Sequence, residues 1–87
     1  MEINFPNAVM PKVTALGTVS FQAHIDGEYL WCEISVEALR VHFGAGSMDG
    51  DELLNAFHRG RESIEQVARR YLESNGGRAV LLMVVDF

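Results

Sequence analysis

From Thr18 onward, apolar and polar positions alternate with a period of two. Val19, Phe21, Ala23 and Ile25 are apolar, and Thr18, Ser20, Gln22 and His24 between them are not. That is the signature of a strand with one buried face. Asp26-Gly27 comes next, followed by a second run, Glu28 to Ile34. Asp-Gly suits a two-residue type I′ hairpin, because both positions need positive φ. A loop of that length pairs Ile25 with Glu28, Ala23 with Leu30, Phe21 with Cys32 and Val19 with Ile34. Directly paired residues share a face. One face therefore collects Val19, Phe21, Ala23, Ile25, Leu30, Cys32 and Ile34 and reads as core. The other pairs His24 with Tyr29, Gln22 with Trp31 and Ser20 with Glu33. A one-residue slip would scramble both faces, so turn chemistry and patterning specify the same register.

Upstream, Glu2 to Phe5 alternate and stop at Pro6, which predicts a short edge strand. Residues 6–16, with Pro6, Asn7 and Pro11, show no period and read as a surface loop. Downstream of the hairpin the period becomes helical. Ser35 is a candidate N-cap, Glu37 lies in the first turn, and Val36, Leu39 and Phe43 share a face, with Gly44 at the end. A helix over about 36–43 follows. Asp49 and Glu52 are spaced as a capping box. From there Leu53, Phe57, Ile64, Val67, Ala68 and Tyr71 hold one helical phase, flanked by Leu54 and Leu72. Gly60 falls inside the stripe. One helix over 50–74, about 36 Å long, and two helices meeting near His58 to Gly60 both fit the pattern. Asn75-Gly76-Gly77 ends it. The last stretch, Ala79 to Val85, is apolar at every position, as in a strand buried on both faces. It is expected to pair inside the sheet, with the N-terminal strand as one candidate neighbour. The pattern predicts one α+β domain over 1–87: an antiparallel sheet of about four strands (β-β-β-α-α, with a third helix if the long one is broken, then β), helices packed on one face.

Composition narrows the function classes. The chain has 87 residues, 48% of them apolar and 22% charged, an ordinary globular balance. No apolar run approaches the length needed to cross a membrane. Met1 to Pro6 contain an acid and no base, unlike a signal peptide, so a cytoplasmic protein is expected. The single cysteine rules out an internal disulfide. A net charge of -5 argues against a nucleic-acid backbone or an anionic membrane as main partner.

The candidate chemistry is sparse. "DGDE" at 49–52 lacks the further ligands of a calcium loop. "GAG" at 44–46 follows a helix rather than a strand, so a dinucleotide site is not indicated. His24, His42 and His58 lack metal-ligand spacing, and Cys32 faces the core as an inert thiol. No nucleophilic constellation is legible, and no cofactor is expected. Two surfaces remain. The polar-aromatic face, Gln22, His24, Tyr29, Trp31 and Glu33, carries two side chains favoured at interfaces. Its cover is a second copy of the chain, an unidentified protein partner, or the chain's own residues 9–16. A two-sided final strand in so short a chain also favours a homodimer. Arg59, Arg69 and Arg70 form the second candidate, a basic patch on the long helix, but Glu65 with Arg69 and Arg69 with Glu73 are spaced for i,i+4 pairing on a solvated face. The leading expectation is a non-enzymatic interaction module acting as a homodimer. The alternatives are a ligand or enzymatic site around His24, Tyr29 and Glu33, and weak nucleic-acid binding through the arginines.

The pieces "INFP" at 3–6, "VSFQAHIDGEYLWCEIS" at 19–35 with "EAL" at 37–39, "LLNAF" at 53–57, "IEQVARR" at 64–70 and the terminal "DF" resemble a small bacterial family of about this length, the domain of unknown function DUF1488. The resemblance implies an α+β fold and a proteobacterial, cytoplasmic setting. It carries over no activity and no catalytic residue.

Overall fold

A computed structural model describes residues 1–87. The elements are β1 (Ile3–Asn4), β2 (Lys12–Val13), β3 (Thr18–Ile25), β4 (Glu28–Ser35), α1 (Val36–His42), α2 (Gly50–Asn75) and β5 (Leu81–Leu82), then a 3-10 turn at Val84–Asp86. The architecture is α+β.

The β3–β4 hairpin is the centre of the sheet, and its register is the one the Asp26-Gly27 turn dictates: Val19 opposite Ile34, Phe21 opposite Cys32, Gln22 opposite Trp31, His24 opposite Tyr29. Asp26 has φ 50° and Gly27 φ 89°, as a type I′ turn requires. On the core face Val19, Phe21, Ala23, Cys32 and Ile34 are buried, with Leu53, Phe57, Ile64, Val67, Ala68 and Leu72 of α2 and Leu39 of α1 against them. Phe57 packs on Phe21 with ring centroids 5.4 Å apart.

β1 lies at the sheet edge, antiparallel to β3, as predicted. The segment 6–16 departs from the loop reading: Lys12–Val13 adds a second short antiparallel pairing to the same side of β3. The two prolines that bracket β2's approach keep these pairings to two residues each.

The C-terminal expectation is overturned. Only Leu81–Leu82 forms a strand, and it pairs in parallel with β4 at the edge opposite β1, in the order β1-β3-β4-β5. A parallel return needs a crossover, which α1 and α2 supply. With a neighbour on one side only, β5 buries one side chain, Leu82, whereas Leu81 is 50% exposed and Val85 89%. The apolar run is thus an edge strand and a turn, and the support it lent to a dimer falls away. The Val84–Asp86 turn is fastened instead. Asp86 accepts from the Met83 N–H at 2.6 Å and from the Tyr71 hydroxyl, Phe87 packs edge-on against Phe43 at 5.2 Å, and His42 Nε2 lies 2.9 Å from the Val84 carbonyl.

The helices follow their caps. The Ser35 hydroxyl accepts from the Ala38 N–H at 3.0 Å. At α2, Asp49 is the N-cap residue, but the capping box does not form. Glu52 accepts from the Gly46 N–H and pairs with Arg59 instead. The helix runs unbroken through Gly60, whose missing side chain makes room for the Phe43 ring: a Cβ there would lie 2.1 Å from the ring. Tyr71, in phase with the stripe, turns outward to Asp86, and Leu72 takes the buried place.

Tyr71 gives a measurable consequence. Its hydroxyl is held by Asp86, and the hydrogen bond first, then the carboxylate charge, raise its pKa. A folded-state pKa above the unfolded value means that the contact contributes below the ordinary tyrosine range near 10 and is lost as pH rises through the raised value. In a Tyr29→Phe background, absorbance titration is expected to show Tyr71 ionising above the ordinary range. Asp86→Asn is expected to bring it back down. An unchanged titration would refute the assignment.

Candidate functional site

The sheet has two faces and the helices occupy one. The other is built from alternate residues of β3 and β4, so the hairpin register that buries Cys32 puts Gln22, His24, Tyr29, Trp31 and Glu33 side by side on the opposite surface. Tyr29 is 67% exposed, and the other four are half-buried.

Their contacts form two local groups. His24 Nε2 lies 2.7 Å from Gln22 Oε1, and its ring centroid is 5.8 Å from that of Tyr29. At the other end, the Thr18 hydroxyl donates to Glu33 Oε1, and Thr14 and Thr18 share a hydrogen bond of 2.6 Å. Between these groups Trp31 lies under the Lys12 ammonium, 5.1 Å from the ring centroid. That is cation–π distance. The lysine comes from β2, so the segment 6–16 reaches this face with the Lys12 and Thr14 side chains and does not close over it. Met10 and Leu16 of that segment are themselves exposed.

Sequence reasoning missed part of the surface. Leu81 pairs with Glu33 in β5 and so joins the same face, half exposed. Lys12 pairs with Ser20 and joins it from the other side. The uninterrupted hydrophobicity of 79–85 hid the first, and the prolines around β2 hid the second.

Two clefts indent the molecule. One, of about 240 Å³, lies between α2 and the C-terminal turn and is lined by Val67, Arg70, Tyr71, Ser74 and Asp86. The other, of about 410 Å³, lies at the hairpin tip beside Met1, Asp26, Glu28, Tyr29 and Gly77. Tyr29 touches the second, but His24 and Glu33 line neither. The three groups weighed for a ligand or catalytic site thus share a sheet face and not a cavity. No group of three or more metal-ligating side chains comes together.

The arginines are occupied separately. Arg59 donates to the carbonyls of Phe43 and Gly44 and pairs with Glu52. Arg69 donates to the Ile3 carbonyl at 2.7 Å and lies over the Phe5 ring. Arg70 borders the smaller cleft. The pairings expected for Arg69 with Glu65 and Glu73 do not form. Glu65 binds Arg61 at 2.6 Å, and Arg61 also donates to the Pro6 carbonyl. The long helix uses Arg61 and Arg69 to hold down the N-terminal segment, an arrangement that i,i+4 spacing does not reveal.

No helix is long and apolar enough to cross a membrane. No curated protein and no solved structure matches the chain. One family does, over residues 3–82, from β1 to the end of β5. The chain belongs to that family, described as "Protein of unknown function (DUF1488)".

Proposed function

We propose that the protein is a non-enzymatic contact module that pairs with a second copy of itself through the open sheet face, centred on Gln22, His24, Tyr29, Trp31 and Glu33. The observation that carries this reading is that both helices pack on the same side of the sheet, leaving Tyr29 and Trp31 on the other without a covering layer. Aromatic side chains with polar tips bury large area at little entropic cost and anchor interfaces. A two-fold contact would cover both copies with the same surface. The cytoplasmic setting belongs to the same reading: one free, buried cysteine is compatible with a reducing compartment.

Sedimentation equilibrium from about 1 to 100 μM, the range where modest self-association registers, tests it. Wild type is expected to approach twice the chain mass of 9.7 kDa. Trp31→Ala is expected to weaken self-association at least tenfold, as loss of an interface anchor does, with an unchanged circular dichroism spectrum. A wild-type monomer throughout that range would overturn the proposal.

A further inference from the structure

The charges on the open face are arranged for a self-complementary contact. Among the strand positions on that face, Lys12 and Glu33 alone are formally charged at neutral pH. Lys12 is also the only lysine in the chain. Neither has a counter-ion in its own chain: the two ion pairs are Arg59 with Glu52 and Arg61 with Glu65. Lys12 rests on the Trp31 ring, and Glu33 accepts the Thr18 hydroxyl, so both are held in place with charge left over.

This matters because the chain as a whole carries -5. Two like-charged copies repel, and a contact between them forms where the facing surfaces are locally neutral and of matching sign pattern. The open face has that property, with one positive and one negative position. A two-fold axis makes every contact occur twice, residue i with j and j with i. Opposite charges on one face can therefore satisfy each other twice.

We infer that in the paired state Lys12 of each copy meets Glu33 of the other across the open face, about an axis along β3 at Ser20, which pairs with Lys12 on one side and Glu33 on the other. The occupant of the face is a second copy, and the Lys12–Glu33 contacts set its orientation. This inference rests on the homodimer proposed above.

Charge exchange tests the two separately. Lys12→Glu and Glu33→Lys are each expected to weaken self-association at least tenfold, because each places like charges opposite one another twice. Mixed in equal amounts, they are expected to form a heterodimer within about threefold of wild-type affinity. In that heterodimer the acid introduced at position 12 of one variant faces the base introduced at position 33 of the other. On the second side of the two-fold axis, the native Glu33 and the native Lys12 meet. Glu33→Gln keeps an acceptor for Thr18 while removing the charge, and is expected to weaken pairing as well. It guards against loss of fold in the Glu33→Lys variant. Fluorescence-detected sedimentation of one labelled variant against its unlabelled partner reads the affinity. A wild type that stays monomeric overturns both proposals. A wild-type dimer whose single variants pair as tightly as wild type, or whose mixture is no tighter than either variant alone, overturns the Lys12–Glu33 contact and leaves the dimer standing.

Discussion

Gly60→Ala is expected to destabilise the protein by about 2 kcal/mol, although alanine is the better helix former. Propensity alone favours the substitution by about 1 kcal/mol in a helix interior. Packing opposes it. A Cβ on residue 60 would stand 2.1 Å from Phe43 Cδ1, 2.5 Å from Cε1 and 2.7 Å from Cγ. The encroached atoms include the base of the ring, so a small rotation at its far end does not relieve the clash. Phe43 itself is pinned: it is the C-cap residue of α1, its ring packs edge-on with Phe87, and its carbonyl accepts from Arg59. Displacing it would loosen Phe87 and with it the C-terminal turn. Evicting a packed phenylalanine costs about 3 kcal/mol at the low end of truncation data, and the propensity gain offsets about a third. In a domain of this size the net loss lowers the melting temperature by roughly 8 to 16 °C. The cause is tested by a double-mutant cycle. In a Phe43→Ala background the clash is gone, and Gly60→Ala is expected to be neutral or stabilising. Equal costs in both backgrounds would show that the ring is not the reason for the glycine.

Gly60 also marks what the chain's pattern reveals and what it hides. The hairpin is legible because two independent signals agree on it. Asp26-Gly27 selects the turn, and alternation from Val19 to Ile34 admits one register. That register carries most of the fold and all five polar-aromatic positions, so the shared face of Gln22, His24, Tyr29, Trp31 and Glu33 follows from the sequence alone. The unbroken phase from Leu53 to Ala68 likewise predicts one continuous apolar face. It does not say whether glycine interrupts the helix, because the answer depends on Phe43, seventeen residues away. The final strand fails for a related reason. Hydrophobicity at every position from Ala79 to Val85 is compatible with burial on both faces, but burial needs neighbours, and β5 has one. Local pattern does not encode strand order. The arginines show the same gap: Arg61 and Arg69 bind carbonyls of Pro6 and Ile3, more than fifty residues distant.

Phe57→Ala has the largest expected effect, a loss of about 3–5 kcal/mol. The ring is fully buried and packs on Phe21 of β3, with the Arg61 guanidinium 5.7 Å from its centroid. It joins the long helix to the sheet. A domain of this length has a total stability of about 4–13 kcal/mol, so the variant would sit near the edge of folding. Cys32 provides the readout. It is the only cysteine, it is fully buried on the core face, and burial pushes its thiol pKa up against a weaker opposing hydrogen bond at Val80. Reagents reach its thiolate only when the core opens, so the labelling rate tracks the open population. At about 1.4 kcal/mol per decade, Phe57→Ala is expected to accelerate Cys32 labelling roughly a hundredfold or more. Trp31 is the neighbouring residue but points to the other side of the sheet. Measured below the concentration at which copies pair, Trp31→Ala, which also weakens pairing at least tenfold, is expected to leave the Cys32 rate within about threefold of wild type, because its side chain lies on the sheet face away from the core. Equal acceleration by both variants would mean that Trp31 supports the core, and the open face would then lose its claim to be a surface kept for a partner.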